Sequence, residues 1–281
     1  MKRFILFFLL IHMMSLHAFS QDEEIRLFPG GAPGEKGGLP AEAADITGNK
    51  VAGETVRRIS NVSDPVITIY RPVQELANGT AMIVCPGGAY NILAYDLEGT
   101  EICEWLNDMG ITAVLLKYRV PRREGIAKHA APLHDAQRAV SYVRAHAEKL
   151  HIHPDRIGIM GFSAGAHLSV MVCNNPEEHT YPVIDECDKL SSRPDFCLLV
   201  YPAYLSGETF GSLASEVKVS SKTPPTMLVQ AQDDKSHING SLFYYYALKE
   251  AGVPATMHLY SQGGHGYGMR DTKAVVNEWS E

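Results

Sequence analysis

Cysteine is scarce in this sequence, and none of its five cysteines forms a C-x-x-C pair. The missing pairs disfavour a zinc site and a thioredoxin-like redox site, and we expect no metal and no cofactor. Export of the chain would allow a disulfide between Cys187 and Cys197, and that alternative stays open. Four of the five cysteines lie within apolar segments and are expected to behave as small buried hydrophobic residues: Cys85, Cys103, Cys173 and Cys197.

Positive charge is also in the minority. The chain has 25 lysines and arginines against 32 aspartates and glutamates, which gives a formal net charge of −7 at pH 7. Nucleic acids and anionic membrane surfaces attract proteins that carry an excess of positive charge. The composition therefore disfavours both as partners.

A membrane span needs an apolar run of about 20 residues, and the strongest candidate, residues 1–20, is interrupted by His12. This segment opens with two basic residues, continues through Phe, Ile, Leu and Met, and ends in an Ala18-x-Ser20 pattern. That layout is typical of a secretory signal peptide. We predict cleavage before Gln21, a secreted or periplasmic location, and no lipid anchor, because no cysteine follows the cleavage site. Loss of two basic residues leaves a formal charge of 23 − 32 = −9.

No internal repeat and no second domain boundary is visible in the remaining chain. Residues 21–50 are rich in Gly, Pro and Ala and predict an irregular N-terminal arm, followed by one α/β domain over residues 51–281. Strands are predicted at 54–59, 66–70, 81–85, 113–118, 157–160, 196–201, 226–230 and 255–260, and helices at 98–109, 133–150, 164–173 and 241–251. The first two strands should form an antiparallel edge, and the later ones a mostly parallel sheet with helices on both faces. The insertion 207–225 could cover a site as a lid.

A serine stands between two glycines where a predicted strand meets a predicted helix. The segment Gly161-Phe162-Ser163-Ala164-Gly165 has the G-x-S-x-G pattern. Its glycines allow a sharp turn that projects the serine hydroxyl at a helix N-terminus, as nucleophilic catalysis requires. The N–H of Ala164, the residue after the serine, would then face a developing oxyanion.

Two further glycine-rich segments follow predicted strands. Pro86-Gly87-Gly88-Ala89-Tyr90 follows the strand 81–85, and its glycines let N–H groups approach a substrate oxygen. Gln262 to Gly268 follows the last strand and contains His265 among glycines, in the position of a general base. A metal site at His151 and His153 is disfavoured, because no further ligands accompany them. Asp233 and Asp234 both follow the strand 226–230, and either could orient His265.

Together these segments resemble the α/β-hydrolase esterases related to bacterial acetyl xylan and feruloyl esterases, from about Phe28 to the C-terminus. The resemblance rests on PGGAY, HPDRIGIMGFSAGAH, PPTMLVQAQDD and GGHGYG, which occur in the family's order. It implies Ser163 as nucleophile and His265 as base. It also implies the N–H groups of Gly88, Ala89 and Ala164 as oxyanion donors. The family's strand-His-Gly-x-x-acid spacing, laid on Gln230-Ala231, implies Asp234 as the acid.

The chain departs from the family in two places. Lys235-Ser236-His237 replaces the valine and proline that often follow the acid. The sequence also ends at Trp279-Ser280-Glu281, where the family carries a longer helix. Either the sequence is truncated there, or residues 271–279 form a very short last helix.

The expected function is that of a secreted serine esterase that removes acetyl or other small acyl groups from a plant cell-wall polysaccharide such as xylan. Tyr90 and Tyr204 are nominated as substrate contacts. The alternatives are a feruloyl or general carboxylesterase and, from a different class, a carbohydrate-binding protein without catalysis. A prolyl-oligopeptidase-type peptidase would need a further large domain, and a dienelactone-type hydrolase would carry cysteine in place of Ser163.

Overall fold

The computed structural model describes residues 21–174 and 179–281. The predicted signal peptide, residues 1–20, lies outside the described residues. Within these two ranges, no helix is both long enough and apolar enough to cross a membrane.

Eleven strands and four α-helices form the described chain. The strands are β1 Gln21–Arg26, β2 Ala43–Asp45, β3 Arg58–Ser60, β4 Val66–Tyr70, β5 Ala81–Cys85, β6 Leu93–Ala94, β7 Thr112–Lys117, β8 Ile157–Phe162, β9 Phe196–Val200, β10 Thr226–Ala231 and β11 Ala255–Tyr260. The helices are α1 Glu101–Asp108, α2 Ala130–Ala145, α3 Ala164–Asn174 and α4 Ile238–Glu250. A π-helical turn, Asp96–Thr100, precedes α1, and two 3₁₀ helices span Glu186–Lys189 and Val275–Ser280.

The main sheet has eight strands in the order β1-β4-β7-β5-β8-β9-β10-β11. The pairs β1/β4 and β4/β7 are antiparallel, and every pair from β7 to β11 is parallel. This arrangement confirms the predicted α/β class with a mostly parallel sheet. It also places the ends of β5, β8, β10 and β11, which precede the predicted site segments, at the same edge of the sheet.

Both faces of the sheet are covered. Along β5, Ala81, Ile83 and Cys85 pack into the core beneath α2, α3 and α4, while Met82 and Val84 pack towards α1 and the last 3₁₀ helix. Successive side chains of a strand point to opposite faces, so all five residues are buried only because both faces are covered. The continuous apolar run of such a strand is therefore the sequence signature of a sheet covered on both sides.

The edge of the sheet differs from the prediction. The segment predicted as the strand 54–59 contributes only to β3, which lies in a separate three-stranded sheet, β2-β3-β6. On the side of β4 away from β7, the antiparallel neighbour is instead β1, in the segment predicted to be irregular. Ile25 packs against the core and Leu27 and Phe28 are buried within it, and these apolar side chains hold the segment against the sheet.

The structure also bears on two expectations, one about the last helix and one about the cysteines. The segment 271–279 contains a short 3₁₀ helix, whose Trp279 indole N–H donates to the Gly268 carbonyl at 3.0 Å. Cys187 and Cys197 are both free thiols, so no disulfide joins them.

Candidate functional site

Ser163 lies in the sharp turn between β8 and α3. Its φ is +51°, a left-handed conformation that a non-glycine residue adopts at a cost. A Cβ atom at Gly161 would lie 2.2 Å from the Gly165 carbonyl oxygen, and one at Gly165 would lie 2.0 Å from that of Cys85. Both glycines are therefore required for α3 to leave the strand so steeply.

The structure brings Ser163, His265 and Asp234 into one hydrogen-bonded row. The Ser163 Oγ lies 2.8 Å from His265 Nε2, and His265 Nδ1 lies 2.8 Å from Asp234 Oδ2. Because a carboxylate only accepts hydrogen bonds, Nδ1 carries a proton and Nε2 accepts from the serine hydroxyl. This is the geometry that a general base needs to remove the hydroxyl proton.

The neighbouring carboxylates of Asp233 and Asp234 have different partners. Asp233 is exposed, and its Oδ1 accepts from the Gly264 N–H at 2.8 Å. Asp234 is 4% exposed and accepts from His265. Burial, the largest single influence, raises the pKa of the Asp234 carboxyl, but the hydrogen bond and charge of His265, together with His237 and the Ser236 N–H, hold that pKa below its usual value. Asp234 is therefore ionised beside the imidazole.

His237, at the departure from the family pattern, lies beside His265. The two imidazole centroids are 4.7 Å apart. Burial, and next to it the proximity of His265, lower the pKa of His237. A second imidazole, which is neutral near pH 7, therefore borders the row. The sequence carried no signal for this contact, because His237 stands in a polar loop with no motif.

The predicted oxyanion loop runs beside Ser163. Gly88 and Ala89 have φ values of +132° and +56° and line the same pocket as Ser163, while Ala164 opens α3 directly after the serine. The loop is held from below by the Tyr118 hydroxyl, which donates to the Pro86 carbonyl at 2.6 Å. Backbone N–H groups at a helix N-terminus and a glycine turn are suited to bind a developing negative charge.

A pocket of about 530 Å³ opens onto this row of residues. Tyr204, nominated as a substrate contact, lines it. The prediction for Tyr90 is wrong, because its side chain is fully buried and its hydroxyl is bonded to His167 Nδ1 at 2.8 Å. Residues 207–225 do not line this pocket either, so the expected lid is not over it. That segment instead packs beside it, where Glu216 accepts from Lys128 at 3.1 Å.

Among residues 21–174 and 179–281, two groups of three side chains have possible ligand atoms within 4.8 Å of one another: His129, His167 and Glu216, and Asp234, His237 and His265. The second group contains the Asp234–His265 pair already described. In the first, the Lys128 ammonium lies against Glu216, and its positive charge opposes a second cation there. Neither group is therefore assigned as a metal site.

A buried carboxylate, Glu98, was missed by the sequence reasoning. Its Oε2 accepts from the Gly87 N–H at 2.6 Å, and its Oε1 accepts from the Tyr201 hydroxyl at 2.8 Å. Glu98 lies in the π-helical turn before α1, and such turns often occur at functional sites. In the sequence it is one acid in an ordinary acidic segment, so only its tertiary contacts distinguish it.

A serine at a strand-to-helix turn, a histidine after the last strand and an acid after the strand before it, on a mostly parallel sheet, define an α/β hydrolase. A family model described as BD-FAE matches residues 67–198. The solved acetyl ester-xyloside bifunctional hydrolase from Caldicellulosiruptor lactoaceticus is 30% identical, with 94% of each chain covered and a TM-score of 0.71. The chain belongs to the α/β-hydrolase esterase family.

Curated relatives match a smaller part of their own length. An acetylxylan esterase of Xylanibacter ruminicola is 31% identical over 207 residues, which is 69% of this chain and 42% of the relative. Endo-1,4-beta-xylanase B of Butyrivibrio fibrisolvens is 30% identical over 209 residues, 66% of this chain and 32% of the relative. The chain thus spans less than half the length of either relative.

Proposed function

We propose that this protein is a serine esterase that removes acetyl groups from xylan or a related plant cell-wall polysaccharide. The observation that carries the proposal is the row Ser163–His265–Asp234, with both hydrogen bonds at 2.8 Å and the serine open to a pocket. The names of the relatives, an acetylxylan esterase and an acetyl ester-xyloside hydrolase, support the choice of acyl group and polymer.

In the acylation step, Ser163 Oγ attacks the ester carbonyl carbon while His265 Nε2 takes the hydroxyl proton. The carbonyl oxygen becomes an oxyanion, which the N–H groups of Gly88, Ala89 and Ala164 stabilise. Collapse of this intermediate breaks the ester C–O bond. His265 returns the proton to the departing sugar oxygen, and the acyl group remains on Ser163.

In the deacylation step, His265 Nε2 accepts a proton from water, whose oxygen attacks the acyl carbon. The second tetrahedral intermediate uses the same N–H donors, and its collapse releases acetic acid and restores the Ser163 hydroxyl. Asp234 keeps the Nδ1–H tautomer in place and stabilises the imidazolium formed in both steps.

Acetate release from acetylated oligosaccharides tests the proposal. Acetylated xylan, xyloglucan and pectin fragments and feruloylated arabinoxylan are incubated with the full chain, and mass spectrometry records which groups are lost. We expect loss of acetyl groups from xylan fragments, and no loss with Ser163→Ala. Release of ferulate alone would instead support the feruloyl esterase alternative, and turnover that survives Ser163→Ala would exclude this mechanism.

Export is part of the proposed function, since the polymer lies outside the cell. It rests on the basic, apolar and small-residue layout of residues 1–20. Mass analysis of the N-terminus of protein recovered from the periplasm or medium should give Gln21 as its first residue. Recovery of protein that retains residues 1–20 would contradict the expected cleavage.

A further inference from the structure

Glu98 lies directly beneath the predicted oxyanion loop. Its carboxylate accepts from the Gly87 N–H at 2.6 Å, one residue before Gly88. A Cβ atom at Gly87 would lie 2.7 Å from Glu98 Oε2 and 2.9 Å from the Ser163 Cβ. Gly87 is therefore confined between the Glu98 carboxylate and the serine turn. The position of Glu98 thus constrains the position of the oxyanion loop relative to Ser163.

The second oxygen of Glu98 connects this loop to the segment that carries His265. The Tyr201 hydroxyl donates to Glu98 Oε1 at 2.8 Å and accepts from the Gly268 N–H at 3.0 Å. The Tyr201 ring also packs against the imidazole of His265, with centroids 4.9 Å apart. One buried pair of side chains thus contacts both the oxyanion loop and the His265 loop.

The hydrogen-bond pattern is satisfied by an ionised Glu98. Three donors, the Gly87 N–H, the Tyr201 O–H and the Gly268 N–H, meet the carboxylate and the phenolic oxygen. A proton on Glu98 at either of its two contacts would set two donors against each other and leave the Gly87 N–H or the Tyr201 O–H without its acceptor. Burial raises the pKa of Glu98, and the hydrogen bonds from Tyr201 and Gly87 act against that rise.

The oxyanion loop needs such support, because it is conformationally strained. Gly88, Ala89 and Tyr90 have positive φ values in succession, and two of them are not glycines. Residues held in sparsely populated regions persist only when the surrounding structure fixes them. Glu98 supplies a charged acceptor at the start of this strained segment.

We propose that Glu98 and Tyr201 are positioning residues for acyl transfer, which hold the oxyanion loop and the His265 loop in register with Ser163. This inference rests on the proposed esterase function. Glu98 borders the pocket and Tyr201 does not line it, and the polar atoms of both side chains are engaged with the two loops. Each acts by fixing the groups that meet the transition state, so its loss should lower kcat more than it raises KM.

Tyr201→Phe tests the inference with minimal change of shape, since it removes only the hydroxyl that joins Glu98 to Gly268. On p-nitrophenyl acetate we expect kcat to fall about 10- to 100-fold, below the 10²–10³-fold cost of deleting an oxyanion donor outright. KM should stay within about twofold, because ground-state binding of a small ester uses other groups. Glu98→Gln, a second isosteric change, should also lower kcat.

Tyr267→Phe is the matched control. Tyr267 is buried, packs against Tyr201 with ring centroids 4.4 Å apart, and has a hydroxyl without a hydrogen-bond partner among the described residues. Removing that hydroxyl should leave kcat at the wild-type value. The double variant of Glu98 and Tyr201 should lose less than the product of the two single losses, because both changes break one network.

The outcomes separate this inference from the proposed function. Absence of esterase activity in the wild type, or activity that persists in Ser163→Ala, would overturn the function and the inference with it. Activity that requires Ser163 but keeps its full kcat in Tyr201→Phe and Glu98→Gln would overturn the inference alone. A lowered Tm with unchanged kcat in both variants would show a purely structural role and would overturn it as well.

Discussion

At the scale of single residues, the adjacent carboxylates of Asp233 and Asp234 should differ strongly in importance. Asp234→Asn replaces the acceptor of the His265 Nδ1–H by an amide, which disturbs the tautomer that the mechanism uses. In a serine protease the same change lowers turnover by about 10⁴-fold. We expect a loss of that order in kcat for p-nitrophenyl acetate, with the variant still folded by circular dichroism.

Asp233→Asn is the matched control for that change. Its side-chain oxygen can still accept from the Gly264 N–H, so kcat should stay within about threefold of the wild type. If Asp233→Asn proves the crippling variant and Asp234→Asn stays active, the assignment of the acid is wrong by one residue.

Ser163 should be the residue that carries the acyl group. An organophosphonate that mimics the tetrahedral intermediate should react with one serine per chain, and peptide mass mapping should locate the adduct on Ser163. Loss of the nucleophile in a triad costs on the order of a millionfold in rate, so labelling should abolish turnover. An adduct elsewhere that removes activity would refute this assignment.

At the scale of elements, the packing of α3 against β5 depends on the absence of a side chain at Gly165. Gly165→Ala would place a methyl group 2.0 Å from the Cys85 carbonyl oxygen and push the helix from the strand. Overpacking of this kind costs about 1–3 kcal/mol. We expect a lower urea midpoint and, because Ser163 moves with the helix, a lower kcat.

Gly30→Ala serves as the control for the glycine change. An added Cβ at Gly30 meets no atom within 4 Å, and its φ is not positive. Its urea midpoint should match the wild type. A Gly165→Ala variant as stable and as active as Gly30→Ala would contradict the steric argument for the turn.

At this scale, the sequence predicted the bounds of strands better than the pairing between them. The strands 66–70, 81–85 and 255–260 were predicted with the bounds that the structure has, because apolar runs between turns directly report burial. The helix predicted at 133–150 spans Ala130–Ala145. The partner of β4 was predicted wrongly, because pairing of β1 with β4 joins segments far apart in the chain and local patterns carry no partner information.

At the scale of the whole molecule, histidines that are buried or half-buried should make stability depend on pH. Burial lowers the pKa of five histidines among the described residues: His129, to about 4, and also His134, His167, His179 and His237. Below pH about 6.5 the unfolded chain takes up protons at these sites that the folded chain resists. The free energy of unfolding should therefore fall as pH drops from about 6.5 towards 4. Glu98 and Asp135, whose pKa burial raises, act in the opposite direction, whereas Asp185 and Asp234, whose pKa is lowered in the folded chain, act in the same direction as the histidines.

Urea unfolding at pH 7.5, 6.5, 5.5 and 4.5 measures this dependence. His129→Gln should make the fall in midpoint shallower, because it removes one of the resisting sites. His258→Gln, at an exposed position on β11, is the control and should keep the wild-type slope. A midpoint that stays constant down to pH 4.5 would show that the buried histidines do not govern acid stability.

The sequence by itself determined the fold class and the place of the three side chains proposed to be catalytic. Ser163, Asp234 and His265 each follow a strand, and parallel strands bring their carboxyl ends to one edge, so local patterns sufficed to put them near one another. Tertiary structure alone decided which side chains complete the site. Tyr90 turns into the core while Tyr204 lines the pocket, and Glu98 meets Tyr201 across 103 residues of chain. Such contacts depend on how loops pack together in three dimensions, and no period or motif in the chain encodes them.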